Sequence, residues 1–216
     1  MVKPIISTTL SGLFVKSTPW KQAHMIWFEK ASIQLNDVTI KDWSSRDDYF
    51  NGVDELSKRL FPELSEEERT IKSRQLFFDS VLENIQNNQD VRNEEIIQYF
   101  QKIKPQITLA LVTTNDSSSI NRILELVNLQ NFFDIIETSK PEEKDDKRIV
   151  FERFISNHNQ PSLYVGGEKT DTFNFCKEKN IPFIYVNLEN NEEIQDAPTA
   201  HNVQELNELI NKLFNT

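Results

Sequence analysis

Histidines, the cysteine and the clustered carboxylates are the first places to look for chemistry, and their spacing assigns them little. His24, His158 and His201 lie far apart, without the short intervals that bring two ligands to one metal, so no zinc site is expected. Cys176, the single cysteine, falls on an apolar helix face and reads as packed rather than reactive. The run Glu142-Glu143-Lys144-Asp145-Asp146 reads as a helix start favoured by the helix dipole, and residues 189–196 as a solvated loop. Six aromatics, Trp20, Trp27, Phe28, Trp43, Tyr49 and Phe50, read as the core of a helical unit rather than a ligand cage. Thr113 at the end of an apolar run and the dipeptide Lys140-Pro141 are, taken alone, an ordinary strand end and an ordinary loop.

The elements that must position such residues are easier to read. Five short apolar runs, at 4–10, 107–112, 134–137, 162–165 and 182–186, have strand length and end in polar or small residues. Helical stripes lie between or after the last four. Ile120, Ile123, Leu124 and Val127 form one; Ile149, Val150, Phe154 and Ile155 form another. Phe173 and Cys176 continue the pattern weakly, and Val203, Leu206, Leu209, Ile210 and Leu213 make an amphipathic helix at the end. Strand–helix alternation of this kind predicts a doubly wound, Rossmann-like parallel sheet of five strands. Open sheets of this class bind ligands at the carboxyl ends of their strands.

The stretch from residue 18 to 104 has no strand pattern. Ser65-Glu66-Glu67-Glu68 is a capping box opening a helix with Ile71, Phe77, Phe78, Val81 and Leu82 on one stripe, and residues 91–103 make another helix. An α-helical cap domain inserted at 18–103, with the core built from 1–17 and 104–216, is the expected organisation.

Composition bounds the function. The chain has 216 residues, 38% hydrophobic and 27% charged, as expected for a soluble globular protein. A formal charge of -10 argues against a nucleic-acid or anionic-membrane surface, which needs a basic footprint. The N-terminus turns polar at Ser7, too early for a signal peptide, and no apolar run has membrane-spanning length. With one cysteine there is no internal disulfide, so a cytoplasmic location is expected, export without a cleaved signal being the exception that leaves no trace. Glycine is scarce: four residues, where average usage predicts about fifteen.

Ile5-Ile6-Ser7-Thr8-Thr9-Leu10-Ser11-Gly12, then Leu111-Val112-Thr113-Thr114, then Ser139-Lys140-Pro141, then Val165-Gly166-Gly167, follow one another in an order that resembles the haloacid dehalogenase-like (HAD) family. Ile5-Ile6-Ser7-Thr8-Thr9-Leu10-Ser11-Gly12-Leu13-Phe14-Val15-Lys16-Ser17-Thr18-Pro19 resembles the family's opening motif, two apolar residues followed by Asp-x-Asp-Gly-Thr-Leu-Val-Asp-Ser. Leu109-Ala110-Leu111-Val112-Thr113-Thr114 resembles the second motif, a strand ending in Thr or Ser, and Asn131-Phe132-Phe133-Asp134 resembles the phrase that follows it. Ser139-Lys140-Pro141 resembles the third, and Val165-Gly166-Gly167-Glu168-Lys169-Thr170-Asp171 the fourth. With a helical insertion of C1 type, the chain resembles the capped phosphatase and phosphoglucomutase-like branch over its whole length.

The resemblance implies phosphoryl transfer to an aspartate, assisted by Mg²⁺ and a second carboxyl group. It places Thr9 at the nucleophile, Ser11 at the acid–base residue, and Gly167 and Asp171 at the metal positions. A threonine hydroxyl is a poor nucleophile without an adjacent base, and its phosphate ester would lack the lability of an acyl phosphate. Gly167 offers Mg²⁺ no oxygen, and one outer carboxylate at Asp171 makes a poor magnesium site. Glu168 is one residue out of register for a rescue. Thr113, Thr114 and Lys140 match the phosphate-holding positions, which implies a residual anion contact, with Asp171 as the expected acidic partner of Lys140. The expectation is a catalytically inactive pseudophosphatase acting as a binding or regulatory module, with no cofactor. Its partner is unknown, either a small anion or phosphorylated ligand or a protein reached through the cap. The alternative is a divergent HAD-type hydrolase of phosphoric monoesters with an unconventional site, and only that alternative needs Mg²⁺. Aspartate is expected to fit at positions 9, 11 and 167 if the three carboxylates are restored.

Overall fold

A computed structural model describes residues 3–45, 49–88, 90–143, 145–167, 170–189, 191 and 193–214. β1 (Ile5–Thr8) leads into α1 (Thr18–Leu35), a 3-10 segment (Val38–Ser45), α2 (Tyr49–Leu60), α3 (Glu66–Asn87) and α4 (Glu94–Ile103). The chain then alternates through β2 (Thr108–Asp116), α5 (Ser117–Leu126), β3 (Ile135–Ser139), α6 (Lys147–His158), β4 (Leu163–Gly166), α7 (Thr170–Glu178) and β5 (Phe183–Val186). It closes with β6 (Thr199–Ala200) and α8 (Val203–Phe214).

The strands form one sheet in the order β3-β2-β1-β4-β5-β6, parallel at every pairing. The predicted doubly wound α/β core is therefore present, with six strands where five were expected. β6 is two residues long and carries no periodicity that could announce it. Its backbone still completes the edge: the Asn187 N–H donates to Ala200 O at 2.8 Å. β2 is also longer than its apolar run. It continues past Val112 to Asp116, with a register shift against β3 between Thr113 and Asp116.

Strand residues alternate between two cores, as the period of two requires. Ile6, Leu109, Leu111, Leu163, Val165 and Ile184 pack on one face, under α5, α8, α4 and the end of α3. Ala110, Val112, Tyr164 and Tyr185 face α6 and α7 on the other, together with the buried Cys176 thiol, which burial pushes up to about 12. Burial of that kind matches the packed role read from the sequence.

Between β1 and β2, Trp27, Phe28, Ala31, Ile40 and Leu56 make a third, smaller core, with Trp43 against it. The side chains of Tyr49 and Phe50 lie outside the described residues. The capping box of α3 forms as read: Ser65 N–H donates to the Glu68 carboxylate at 2.8 Å, and Glu68 N–H to Ser65 Oγ at 3.3 Å. The acidic run before α6 ends as a cap, Asp146 accepting the Arg148 N–H at 2.8 Å, so its carboxylates precede the first turn rather than occupy it.

One loop expectation is corrected. Glu189 is not simply solvated. Its carboxylate accepts the Ser17 N–H at 2.7 Å and the Ser17 hydroxyl, and it pairs with Lys21 at 3.3 Å. Burial opposes its charge, but the Ser17 bonds and Lys21 outweigh that and hold the carboxyl below its ordinary range. An anion at the start of α1 satisfies a donor that would otherwise be orphaned at the helix end.

Candidate functional site

Everything at the site begins with the bend after β1. Thr8 Oγ1 donates to Ala110 O at 2.8 Å and secures the strand end. The chain then doubles back, with the N–H groups of Phe14 and Val15 both reaching Leu10 O at 3.1 Å and the Gly12 N–H reaching Val15 O at 2.7 Å. Gly12 has φ 73°, a left-handed conformation that a side chain would strain. The bend is anchored from below. Phe14 is fully buried and meets Phe100, Phe132 and Phe133 edge-on at 5.1 to 5.3 Å. Asn93 Nδ2 donates to Leu13 O at 2.7 Å from the far side.

So held, Gly12 presses on the end of β4. A Cβ built on Gly167 would lie 2.2 Å from Gly12 O and 2.9 Å from Gly12 Cα. No side chain fits there unless the backbone moves. β1 and β4 flank the point where the strand order reverses, which is where sheets of this class open a ligand crevice. Here backbone fills that spot. The expectation that aspartate fits at 167 is therefore overturned, and the residues present do not suit Mg²⁺. Thr9 and Gly167 bring no carboxylate, and among the described residues no three His, Cys, Asp or Glu side chains are grouped to hold a metal. Glu168 lies outside the described residues.

Beside this contact, a cavity of about 430 Å³ opens between the ends of β1 and β2 and helices α1, α2 and α3. The structure brings Thr9, Ser11, Thr113 and Thr114 together in its lining. Thr113 is buried, and its hydroxyl accepts the Asn115 N–H at 3.2 Å. Lys140 is not part of this pocket. It is exposed, and its N–H donates to the Glu143 carboxylate at 2.9 Å, which turns the segment after β3 away. Asp171, exposed in the first turn of α7, lies off the pocket as well, so the expected pairing of these two residues at the site is corrected.

Two lysines line the pocket, Lys21 of α1, which pairs with Glu189, and Lys147, the first residue of α6. The Lys147 ammonium donates to Tyr164 Oη at 3.1 Å and sits 5.1 Å above the Tyr164 ring centre. Its sequence signal is slight: Asp146 before it is a good helix cap, and a cation at the first helical turn opposes the dipole. Nothing in the apolar periodicity points to it.

Arg74 of α3 also escapes a reading of the sequence. Its guanidinium reaches the carbonyls of Thr114, Lys140 (3.1 Å) and Glu143 (2.5 Å), tying the insertion to the loops after β2 and β3. Burial resists the charge on Glu143, but Arg153 at 2.5 Å, the Lys140 N–H and the Ser139 hydroxyl keep its carboxyl low. The histidines stay separate, with the His24 ring tilted against that of Phe77 at 4.4 Å, His158 near Glu137 and His201 near Glu193. Trp20, Trp27, Phe77 and Phe78 form much of the pocket wall, so the aromatics of the insertion serve both packing and lining.

The structure is a parallel six-stranded sheet with helices inserted after its first strand, and hydroxyl residues close the ends of the first two strands. The family profile described as haloacid dehalogenase-like hydrolase matches residues 27–186, well over half of the chain, which therefore belongs to that family. The matched span begins after Thr9 and Ser11. No curated protein sequence matches the chain. Among solved structures, a haloacid dehalogenase-like family protein from Streptococcus pneumoniae, SP0104, is 18% identical, with a TM-score of 0.65 over 96% of this chain and 98% of that one. CbbY from Rhodobacter sphaeroides, solved in complex with phosphate, has a TM-score of 0.65 at 12% identity over 95% of this chain and 100% of that one. A HAD phosphatase from Thermococcus onnurineus has a TM-score of 0.62 at 14% identity, covering 97% and 98%. At these identities the likeness is one of fold. No helix among the described residues is long and apolar enough to cross a membrane.

Proposed function

We propose that this chain is a HAD-family protein that binds a small molecule in its pocket and does not hydrolyse it, serving as a binding or regulatory module. In this reading residues 1–17 and 104–216 are the core and residues 18–103 the cap over it. The observation that carries it is the contact between Gly12 and Gly167, whose backbone occupies the space an inner-sphere carboxylate would need. The residues around it agree. Thr9 and Ser11 offer hydroxyls where the family chemistry needs carboxylates, and Lys147 supplies one positive charge for an anionic group near Thr113 and Thr114.

The test is hydrolysis of p-nitrophenyl phosphate with and without millimolar Mg²⁺, alongside thermal unfolding in Mg²⁺ and in a matched monovalent salt. The expected result is no turnover above a heat-denatured control and no magnesium-specific rise in Tm, because only a ligand of the native state stabilises it. Magnesium-dependent turnover would overturn the reading and return the chain to the divergent phosphatases.

A further inference from the structure

On the side of the pocket built by the insertion, the charged groups already have partners within the protein. Lys21 pairs with Glu189 at 3.3 Å and Asp54 with Lys58 at 2.5 Å. Arg69 donates to Leu64 O, and Arg74 to the carbonyls of the loops after β2 and β3. Drawing any of these four onto a ligand costs a bond to a charged group, which is among the stronger ones. Glu66, exposed in the first turn of α3, adds a negative charge to the same wall and disfavours an anion beside it.

The apolar lining is in the opposite condition. Trp20 and His24 stand one turn apart on α1, Val53 comes from α2, and Phe77 comes from α3. The His24 and Phe77 rings meet at 4.4 Å, tilted by 32°. All four residues are half-buried, so part of each side chain is still wet where it lines the cavity. Trp20 and Phe77 also pack against the main core, which fixes their rings in place. Rings held in this way gain by covering their remaining surface with apolar surface, and a flat ring adds favourable aromatic contact geometry. The volume of about 430 Å³ is of small-molecule size.

We propose that the insertion side of the pocket is a subsite for an uncharged, planar aromatic ring, the body of the molecule that the pocket holds. The inference rests on the reading that the pocket binds without turnover. The probes are 2-naphthol, its saturated counterpart decahydro-2-naphthol, and 2-naphthylmethylamine, titrated calorimetrically into the full chain at pH 7. Naphthol should bind saturably at one site, the saturated alcohol about tenfold more weakly, and the amine no more tightly than naphthol. Saturating inorganic phosphate should leave the naphthol affinity unchanged, because Lys147 lies on the core side of the pocket. Phe77→Leu, which keeps an apolar side chain and removes the ring, should weaken naphthol about fivefold. In the wild-type chain the Trp20 indole N–H resonance, assigned with Trp20→Phe, should move on addition of naphthol, a readout that does not depend on variant stability. Equal binding of the flat and saturated alcohols, unaltered affinity in Phe77→Leu, a stationary Trp20 resonance, or displacement of naphthol by phosphate would each overturn the assignment. Tenfold tighter binding of the amine would overturn it as well and assign the subsite to an ammonium drawn by Glu66. The two readings fail separately. Turnover of p-nitrophenyl phosphate would remove the inactive reading, whereas an inert protein that ignores naphthol would remove only this one.

Discussion

Gly12 and Gly167 meet with no room between them, and each needs to be glycine for a different reason. Gly12 must adopt a left-handed backbone, while Gly167 must spare its neighbour a Cβ at 2.2 Å. Gly167→Asp should therefore lose about 3 kcal/mol of stability by urea unfolding, the usual scale for forcing atoms into a packed site. Thr9→Asp and Ser11→Asp, half-buried beside a cavity, should fold nearly as well as the parent. If Gly167→Asp unfolds at the wild-type midpoint, the contact is not as close as described. Aspartate is thus expected to be tolerated at 9 and 11 and resisted at 167.

At the scale of elements, α1 is secured at its start by a residue from the far end of the chain. Glu189 accepts from the Ser17 N–H and hydroxyl, and its carboxyl is held below its ordinary value of 4.5. The folded state thus gives up this proton more readily than the unfolded chain. The stability contributed is complete above about pH 4.5 and is lost as the pH falls through the lower folded value. Glu189→Gln should cost about 1 to 2 kcal/mol at pH 7. The gap between wild type and variant should narrow below pH 4.5. A pH-independent gap in denaturation midpoints would show that the charge plays no part. Segment 189–196 reads as solvated because its composition is acidic and Asn-rich, and composition cannot reveal a partner 172 residues away.

For the molecule as a whole, the relation of α3 to the sheet depends on Arg74. A guanidinium bonded to carbonyls of two different loops is a crosslink, and hydrogen bonds to a charged group are among the stronger ones. Arg74→Ala should cost about 2 kcal/mol and speed amide hydrogen exchange in residues 139–143 and along α3. Unchanged protection in both segments would assign the arginine a surface role only. The same crosslink bears on the pocket, because α3 carries Arg74 together with the lining residues Arg69 and Ser73.

The sheet was legible because buried parallel strands leave continuous apolar runs, and the helices because their stripes repeat every three to four residues. Ser65 and Glu68 announced α3 through a local bond, and local bonds can be read from spacing. By ordered motifs alone, Thr9, Ser11, Thr113 and Thr114 could be placed together, and the structure gathers them into one pocket. Lys140 could not be judged in this way, since whether a loop residue faces a pocket depends on the turn that Glu143, Arg153 and Arg74 impose, and Asp171 falls in the first turn of α7, off the pocket. Lys147, the Glu189 clamp and the meeting of His24 with Phe77 were invisible for the same reason. Each is defined by partners across a gap that periodicity does not cross. The contact between Gly12 and Gly167 shows the division most sharply: the sequence by itself determined that position 167 is a glycine, and only the tertiary structure, by packing two backbones against each other, decided that no side chain fits there.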